Sequence, residues 1–330
     1  MPARDTTTGT RRGNAGPRVA VDPVMTDSTR LAADTSMGAV TLDVADLDAM
    51  TAYYRDAIGL EVLTDEPARE GEPAIVTLGR TRGDGETGAT AAIPLVVLRH
   101  APALRHAGPR EAGLFHTAIL FETQAALAAA VATVAQRHPG TFTGSSDHLV
   151  SQAFYFDDPE RNGVELYWDR DRTEWSWTHG QVEMSTLYLD PNAFLQQHLT
   201  DAALAAHTTA PAVIGHVHLS VGDVATAKRF YVDELGFDLT TTYGGQAIFV
   251  SAGGYHHHMA MNVWRSQGAG RRQPALGLGQ VDIVLPDPDE IGALGERLRH
   301  VGHEVRDDGR TVHVDDPWGN VLRVTTSPSA

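Results

Sequence analysis

Two histidines occupy equivalent positions in a short segment that the chain repeats. Four segments look like variants of one strand, namely residues 38–46, 115–121, 215–223 and 279–287. Aligned on their last apolar residue, the segments share one column, which reads Ala39, His116, His216 and Gln280. Imidazole transfers protons near neutral pH and is a common metal ligand, which alanine and glutamine side chains are not. A repeated unit with two modified copies predicts a duplicated scaffold that carries one working site.

Each of the four strands is followed by an amphipathic helix. In the first and third copies, Asp46 and Asp223 are typical helix N-caps. Gly59 and Gly236 lie where these two helices should end. The even copies continue in the same order, with predicted helices over residues 124–136 and 289–300. Short alternating runs close each copy, so the unit reads β-α-β-β-β, and a repeat longer than about 50 residues is typical of duplicated half-domains.

Three short motifs recur along residues 36–327. They are a His-x-x-x-x-[Val/Phe] strand, a helix that begins at Asp, carries an aromatic pair and ends at Gly-Phe/Leu, and Asp-Pro-x-x-Asn-x-x-Glu over residues 158–165. With these motifs the chain resembles the vicinal oxygen chelate superfamily, which includes glyoxalase I, bleomycin-resistance proteins and type I extradiol dioxygenases. Residues 164–170 and 253–258 further resemble its bacterial catechol-2,3-dioxygenase-like subset.

The resemblance implies an α+β fold in which four βαβββ modules form two curled mixed-sheet half-barrel domains. The modules are expected over residues 36–100, 112–170, 212–266 and 275–327. Residues 1–35 are predicted to form a disordered tail, because Thr, Arg, Gly, Pro and Asp dominate there. Residues 171–211 are predicted to form a linker that contains a helix near residues 192–206.

In this superfamily the metal ligands come from the first and last strands of a module and face into the cup of the sheet. Side chains alternate across a strand, so Val217 and Leu219 on the helix side place His216 in the cup. The same alternation turns Glu165 into the cup. The resemblance therefore implies His116, His216 and Glu165 as metal ligands. Two imidazoles and one carboxylate suit Fe(II), with Mn(II) as an alternative and Zn not excluded, and leave positions open for a diol and O2.

The two copies that lack a histidine in the shared column predict how the modules pair. Ala39 and Gln280 leave the first and fourth copies without this ligand set, and Arg323 stands where the second copy has Glu165. Sequential pairing of the copies would separate the two ligands of the second copy from the histidine of the third. We therefore expect modules 2 and 3 to form the metal-site domain and modules 1 and 4 the non-metal domain.

An extradiol reaction also needs a group that takes a proton from the diol and later returns it, and a neutral histidine near pH 7 suits this role. Strand alternation would turn His256 and His258 towards the cup and His257 towards the core. His258 is the first candidate and His256 the second, while Tyr255 is expected to hydrogen-bond the substrate. His148 resembles a histidine of the subset and is expected on the opposite wall. The alternatives are a surface tract or metal scavenger for the triplet and an ordinary loop residue for His148.

The resemblance implies a metal-dependent extradiol dioxygenase of the catechol 2,3-type, which cleaves the ring of a catechol-like ortho-diphenol with O2. One alternative is a glyoxalase-type metal-dependent isomerase or lyase, which usually needs a fourth protein ligand that Ala260 does not supply. Another is a metal-free protein that sequesters a small aromatic drug, which the three retained ligands disfavour.

The overall composition bears on compartment and partners. A net charge of −16 argues against nucleic-acid binding. The absence of cysteine excludes disulfides and thiolate sites and fits a cytoplasmic protein. No apolar run is long enough to predict a membrane span, and the first residues lack the apolar core of a secretory signal. The expected partners are a small aromatic diol and O2, and a homo-oligomer is left open.

Overall fold

The computed structural model of the chain describes residues 29–83 and 90–326. The first copy contains β1 (Ser36–Val44), α1 (Leu47–Ala52), β2 (Glu61–Glu66), β3 (Ile75–Gly83) and β4 (Thr90–His100). The second contains β5 (Gly113–Phe121), α2 (Gln124–Arg137), β6 (Phe142–Asp147), β7 (Ser151–Asp157) and β8 (Gly163–Asp169). The linker contains β9 (Trp177–Thr178), β10 (Gln181–Val182), β11 (Leu187–Tyr188), α3 (Pro191–His198) and α4 (Asp201–Ala205).

The second half of the chain repeats this order. The third copy contains β12 (Ala212–Ser220), α5 (Val224–Lys228), β13 (Asp238–Tyr243), β14 (Ala247–Ser251) and β15 (Met259–Asn262). The fourth contains β16 (Gly277–Leu285), α6 (Pro288–His300), β17 (Val305–Asp307), β18 (Val312–Asp315) and β19 (Val321–Thr326). Helices α1 and α5 continue into the π-helical turns Tyr53–Ala57 and Arg229–Glu234, so the first and third copies match in detail.

Two large sheets combine the copies in a fixed way. One runs in the order β11-β6-β7-β8-β5-β12-β15-β14-β13 and holds the strands of the second and third copies. The other runs in the order β17-β18-β19-β16-β1-β4-β3-β2 and holds those of the first and fourth. Both sheets mix parallel and antiparallel neighbours, since β5 lies parallel to β8 and antiparallel to β12. The predicted α+β class with curled mixed sheets is confirmed.

The helices begin and end for local reasons. Asp46 and Asp223 each accept a hydrogen bond from the backbone N–H three residues later, at 2.9 and 2.7 Å. Gly59 and Gly236 follow the π-helical turns with φ of 84° and 102°, a conformation that favours glycine. The helix expected near residues 192–206 is two helices, because Thr200 caps a new one. In the described residues no helix is both long and apolar enough to cross a membrane.

The two faces of the metal-site strands differ as the alternation predicts. Val164 and Leu166 of β8, with Val217 and Leu219 of β12, belong to the main apolar core. Their neighbours along the chain, including Glu165, turn to the concave face and line a cavity of about 1270 Å³. The period of two along each strand thus separates core from cavity.

Two buried hydrogen bonds tie the sheets together. Tyr54, which follows α1, donates to Asp158 in the Asp-Pro turn before β8, at 3.2 Å. Tyr231, which follows α5, donates to Asp316 in the equivalent turn before β19, at 3.0 Å. In each pair the tyrosine belongs to a copy whose strands form one sheet and the aspartate to a copy whose strands form the other, so the third signature motif has a structural role.

The predicted N-terminal tail needs a correction at its end. Residues 1–28 lie outside the described residues, but residues 29–35 lie against the protein. The backbone N–H of Leu31 donates to the carbonyl of Gly236 at 2.9 Å, and its side chain joins the apolar core. Thr35 is also buried. Arg30 also donates to the carbonyls of Val232 and Phe237, so both apolar and polar contacts dock these residues, which composition alone does not reveal.

Candidate metal centre

Three side chains from adjacent strands meet at the base of the cavity. They are His116 on β5, Glu165 on β8 and His216 on β12. The Nε2 atoms of His116 and His216 lie 2.9 and 3.1 Å from Oε2 of Glu165. One ligand atom from each residue lies within 4.8 Å of the others. The three side chains are buried, with exposures of 6%, 2% and 2% for His116, Glu165 and His216. The structure therefore brings the three expected ligands together.

The protonation of this cluster suits a metal ion. Burial raises the pKa of Glu165, but His216 and His116 outweigh it and hold that pKa well below its usual value. Burial lowers the pKa of His216 to about 4. An ionised carboxylate and a neutral imidazole are the forms that bind metals. Nε2 of His116 is buried and makes no hydrogen bond, although it lies close to Oε2 of Glu165. A buried imidazole nitrogen without a hydrogen bond, beside a second imidazole and a carboxylate, fits a divalent cation.

The histidine triplet lies in a turn, and the predicted directions of its side chains are wrong. Gly253 and Gly254 adopt φ of 61° and 68°, and β15 begins only after the triplet, so strand alternation does not extend through it. Of the three histidines, only His257 lines the cavity. Nδ1 of His258 accepts a hydrogen bond from the backbone of Ala252 at 3.2 Å, and burial lowers the pKa of His258 to about 3. His258, the first candidate for proton transfer, is thus turned away from the cavity.

A chain of hydrogen bonds holds His257 from behind. Nε2 of His256 lies 2.9 Å from Oδ1 of Asp169, and Nδ1 of His256 lies 2.7 Å from Nδ1 of His257. Because a carboxylate only accepts, His256 donates through Nε2, and a neutral imidazole that does so accepts through Nδ1. His257 then donates through Nδ1, which leaves its Nε2 as a proton acceptor. His256 therefore orients His257 and does not itself reach the cavity.

Tyr255 was expected to hydrogen-bond the substrate, but its side chain also lies behind the cavity. Its hydroxyl donates to Oδ2 of Asp169 at 2.7 Å and accepts from the hydroxyl of Tyr167 at 2.7 Å. The ring of Tyr167 packs against His216, with centroids 4.8 Å apart. Tyr255 thus supports the same carboxylate that orients His256, and it is not among the residues that line the cavity.

His148 lines the opposite wall, as expected, beside a tyrosine that the sequence analysis missed. Nδ1 of His148 donates to the carbonyl of Ser185 at 2.7 Å, so its Nε2 accepts from the hydroxyl of Tyr155 at 2.7 Å. Tyr155 lies opposite Glu165 across β7 and β8. Burial, with the charge of Glu165, raises the pKa of Tyr155 well above its usual value, so the hydroxyl keeps its proton. Alternation with the core residues Phe154 and Phe156 would have identified this cavity-facing tyrosine.

The other large sheet has ion pairs where this one has ligands. Arg323 on β19 lies opposite Asp282 on β16, in the register that places Glu165 opposite Ala118. The Arg323 guanidinium donates to Asp282 at 2.5 Å. Among the described residues, a cluster with metal-ligand geometry is found in the nine-stranded sheet and not in this one. Arg323, which stands where the second copy has Glu165, thus forms an ion pair with Asp282.

Comparisons with known proteins agree with this architecture. Residues 36–166 and 213–324 match the family model described as the Glyoxalase/Bleomycin resistance protein/Dioxygenase superfamily. The chain is 34% identical over 294 residues to the catechol-2,3-dioxygenase of Bacillus subtilis (strain 168), which covers 86% of this chain and 94% of that protein.

Two solved structures share the fold at low sequence identity. A candidate dioxygenase from Bacillus subtilis subsp. subtilis str. 168 has a TM-score of 0.59 at 14% identity and covers 92% of this chain and 87% of its own. Glyoxalase I from Zea mays has a TM-score of 0.50 at 16% identity, with 88% and 92% covered. Since the family model matches more than half of the chain, the protein belongs to the glyoxalase, bleomycin resistance and dioxygenase superfamily.

Proposed function

We propose that the protein is an extradiol ring-cleaving dioxygenase that acts on a catechol-like ortho-diphenol with O2. One observation carries the proposal: two imidazole nitrogens and one carboxylate oxygen converge at the base of a cavity with aromatic walls. The 34% identity to a protein named catechol-2,3-dioxygenase supports it.

His116, His216 and Glu165 would hold the metal, which we propose is Fe(II), with Mn(II) as the alternative. When bound, such a metal supplies redox chemistry and open coordination positions for the diol and O2. Ala260 pairs with His218 in the register that places Glu165 opposite Ala118, so the third copy contributes a methyl group where the second contributes a carboxylate. Three protein ligands therefore leave room beside the metal for substrate.

We assign the acceptance of the diol proton to His257. Its Nε2 is the ring nitrogen left unprotonated by the hydrogen bonds from Asp169 through His256. Its ring contacts that of His216, so the acceptor lies next to a proposed ligand. General acid-base catalysis of this kind contributes about 10²- to 10⁴-fold to a rate.

Tyr155 and His148 act from the other wall of the cavity. The hydroxyl of Tyr155 stays protonated and is held by Nε2 of His148 at 2.7 Å. It lies beside Glu165, on the strand next to it. These two residues are suited to hold a proton and to hydrogen-bond an oxygen of the reacting diol, the part first assigned to Tyr255.

The wall next to His116 is built to hold an aromatic ring. The centroid of Phe115 lies 4.9 Å from that of His218 and 5.3 Å from that of Trp264. Nδ2 of Asn262 donates to Nε2 of His218 at 3.0 Å, which fixes the orientation of that imidazole. Burial holds the pKa of His218 well below its usual value, so the ring is a neutral surface. Aromatic groups pack well against such a surface, which also excludes water.

Turnover of catechol by metal-loaded protein tests the proposal. Protein loaded without oxygen with Fe(II), Mn(II) or Zn(II) is mixed with catechol and O2, and absorbance and O2 uptake are followed. We expect a yellow ring-fission product with equimolar O2 consumption for the Fe(II) protein or the Mn(II) protein. His116→Ala should abolish both turnover and stoichiometric metal binding, whereas Gln280→Ala, at the same position in the other sheet, should leave both intact.

Two other outcomes contradict the proposal. A Zn(II) or Ni(II) protein that converts a thiohemiacetal, while the Fe(II) protein leaves catechols intact, points to the isomerase. Tight binding of aromatic compounds without any bound metal points to the sequestering protein.

A further inference from the structure

Arg272 marks the end of the cavity that lies away from the candidate metal centre. It lies between β15 and β16 and lines the cavity. A Cβ atom at Gly113 would lie 3.8 Å from its guanidinium carbon, so the group rests against the start of β5. Gly113 precedes His116 by three residues, which corresponds to about 10 Å along a strand. The guanidinium and the metal ligands thus mark the two ends of one compartment.

The guanidinium of Arg272 is oriented by neutral groups. Its Nη1 donates to Oδ1 of Asn320 at 3.2 Å, and its backbone N–H donates to the carbonyl of Trp318 at 2.9 Å. Across residues 29–83 and 90–326, the ion pairs within 4.0 Å involve other arginines and histidines and not Arg272. Its side chain is half buried, and burial lowers its pKa. A partly buried guanidinium with no ion-pair partner among the described residues is suited to bind an anion.

The nearby carboxylates are already engaged. Asp43 and Glu111 each form a pair of hydrogen bonds with another arginine. Asp316 accepts hydrogen bonds from the backbone and side chain of Asn320, among others. The other arginines that line the cavity, Arg161 and Arg265, are exposed to solvent, and their charges act on Asp157. Arg272 is therefore the cavity-lining cation best placed to meet an anion that enters with the substrate.

The space between the two ends suits an aromatic ring with a short side chain. Phe115 and Trp264 flank it, and Phe115 is the residue before His116. A diol held at the metal ligands would place its ring beside Phe115. The distance of about 10 Å along β5 between Gly113 and His116 exceeds the reach of an aromatic ring alone. A substrate group that binds Arg272 must therefore be carried on a side chain of the ring.

We propose that Arg272 binds a carboxylate at the end of a short side chain on the ortho-diphenol, so that the physiological substrate is an acidic catechol. The inference rests on the proposed function, whose substrate class it narrows. The planar guanidinium, with Nη1 held by Asn320, presents its remaining N–H groups to the carboxylate in a two-bond pair.

A matched acid and amide test this assignment. The values of kcat/KM are compared for 3-(3,4-dihydroxyphenyl)propionate and its uncharged amide, which differ only in the group that reaches Arg272. We expect the wild type to favour the acid on the order of tenfold or more. Arg272→Gln should bring the ratio close to one, and Arg272→Lys should restore part of it. Arg271→Gln is the control, because Arg271 is exposed and pairs with Asp315 outside the cavity.

Equilibrium binding separates failure of the site from failure of the chemistry. Calorimetry with 3-(3,4-dimethoxyphenyl)propionate and its amide reads the preference without ring cleavage. Tighter binding of the acid, lost in Arg272→Gln, supports the carboxylate site even if no catechol is cleaved, in which case the proposed function is overturned. Equal binding and equal turnover of acid and amide by the wild type overturn the carboxylate site and leave ring cleavage standing. This last result needs only the wild type, so the carboxylate site can be overturned even where a variant does not fold.

Discussion

The imidazole ring of His257 packs against that of His216, with centroids 4.1 Å apart and an interplanar angle of 49°. His216 belongs to β12, whereas His257 belongs to the turn before β15. Asp169 and His256 hold His257 in this place from the side away from the cavity. A proton acceptor therefore lies against a candidate ligand without belonging to the ligand set.

Replacing His257 by glutamine should lower kcat for ring cleavage by at least about 100-fold, because it removes the proton acceptor. Iron content, measured on the same preparation, should not change. His258→Asn is the matched control, since an asparagine oxygen can still accept from the backbone of Ala252 and the side chain lies outside the cavity. Equal losses in the two variants would contradict the assignment of His257.

Metal ions should stabilise the folded protein through Glu165. A ligand that binds only the folded state at 100 times its Kd adds about 2.7 kcal/mol to the free energy of unfolding. We therefore expect Mn(II) or Zn(II) to raise the melting temperature of the wild type, and chelator to reverse the rise. Glu165→Gln should abolish the rise, because an amide oxygen carries no charge to offset that of the ion. A rise of the same size in this variant would place the metal elsewhere, whereas Gln280→Ala should behave as the wild type.

Acid should destabilise the fold through His258. Burial lowers the pKa of this imidazole to about 3, while the unfolded chain takes up the proton near pH 6.5. The group therefore contributes stability that is fully present above about pH 6.5 and is lost as the pH falls towards 3. In that window the free energy of unfolding should drop by about 1.4 kcal/mol per pH unit on account of this residue. Urea unfolding of metal-free protein at several pH values between 5 and 7.5 measures the slope.

A variant isolates the share of His258 from that of other buried histidines. His258→Asn should reduce the slope by about 1 kcal/mol per pH unit. The control is His300→Asn, which replaces an exposed histidine and should leave the slope as it is. An unchanged slope in His258→Asn would mean that this imidazole titrates alike in the folded and unfolded protein.

Gly215 leaves room for Tyr167 beside the candidate ligand His216. A Cβ atom at Gly215 would lie 1.7 Å from the hydroxyl oxygen of Tyr167 and 2.7 Å from its ring carbon Cζ. Gly215→Ala should therefore lower the free energy of unfolding by about 1–3 kcal/mol, as overpacking does. It should also weaken metal binding, because Tyr167 packs against His216.

The double variant with Tyr167→Phe provides the check. Removal of the hydroxyl relieves the closest contact, so we expect the double variant to recover part of the stability that Gly215→Ala loses. Losses that simply add in the double variant would show that the two positions do not meet.

The resemblance to the superfamily implied the three residues that converge in the structure, and local periodicity was enough to predict that Glu165 and His216 face the cavity. Glu165 lies in a strand that pairs with β5 without a register shift, and a period of two is a property of such a backbone. Alternation also holds from His216 to Leu219, although the pairing of β12 with β5 shifts register before His216 and after His218. The flanking apolar residues then reveal which face each side chain takes. The four-fold repeat identified the β-α-β-β-β unit for the same reason, since each copy contains its own strand, helix and turn signals.

Alternation failed where the strand was interrupted. Gly253 and Gly254 reverse the chain in left-handed conformations, so the direction of His257 depends on the turn and on Asp169 from another strand. A pattern of neighbouring residues in the sequence carries no information about that contact. Tyr155 is an intermediate case. Alternation along β7 predicts that its side chain faces the cavity, but its hydrogen-bond partner His148 lies outside that strand.

The residues of the chain thus determined the repeat, the helix caps and the faces of the regular strands, all of which depend on neighbours along the backbone. The tertiary structure alone decided which histidine of the triplet lines the cavity. It also decided that Arg272 lies at the far end of the cavity with no carboxylate of the described residues paired to it. Both depend on groups distant in sequence, such as Asp169 and Asn320, whose positions follow only when the sheets close around one cavity.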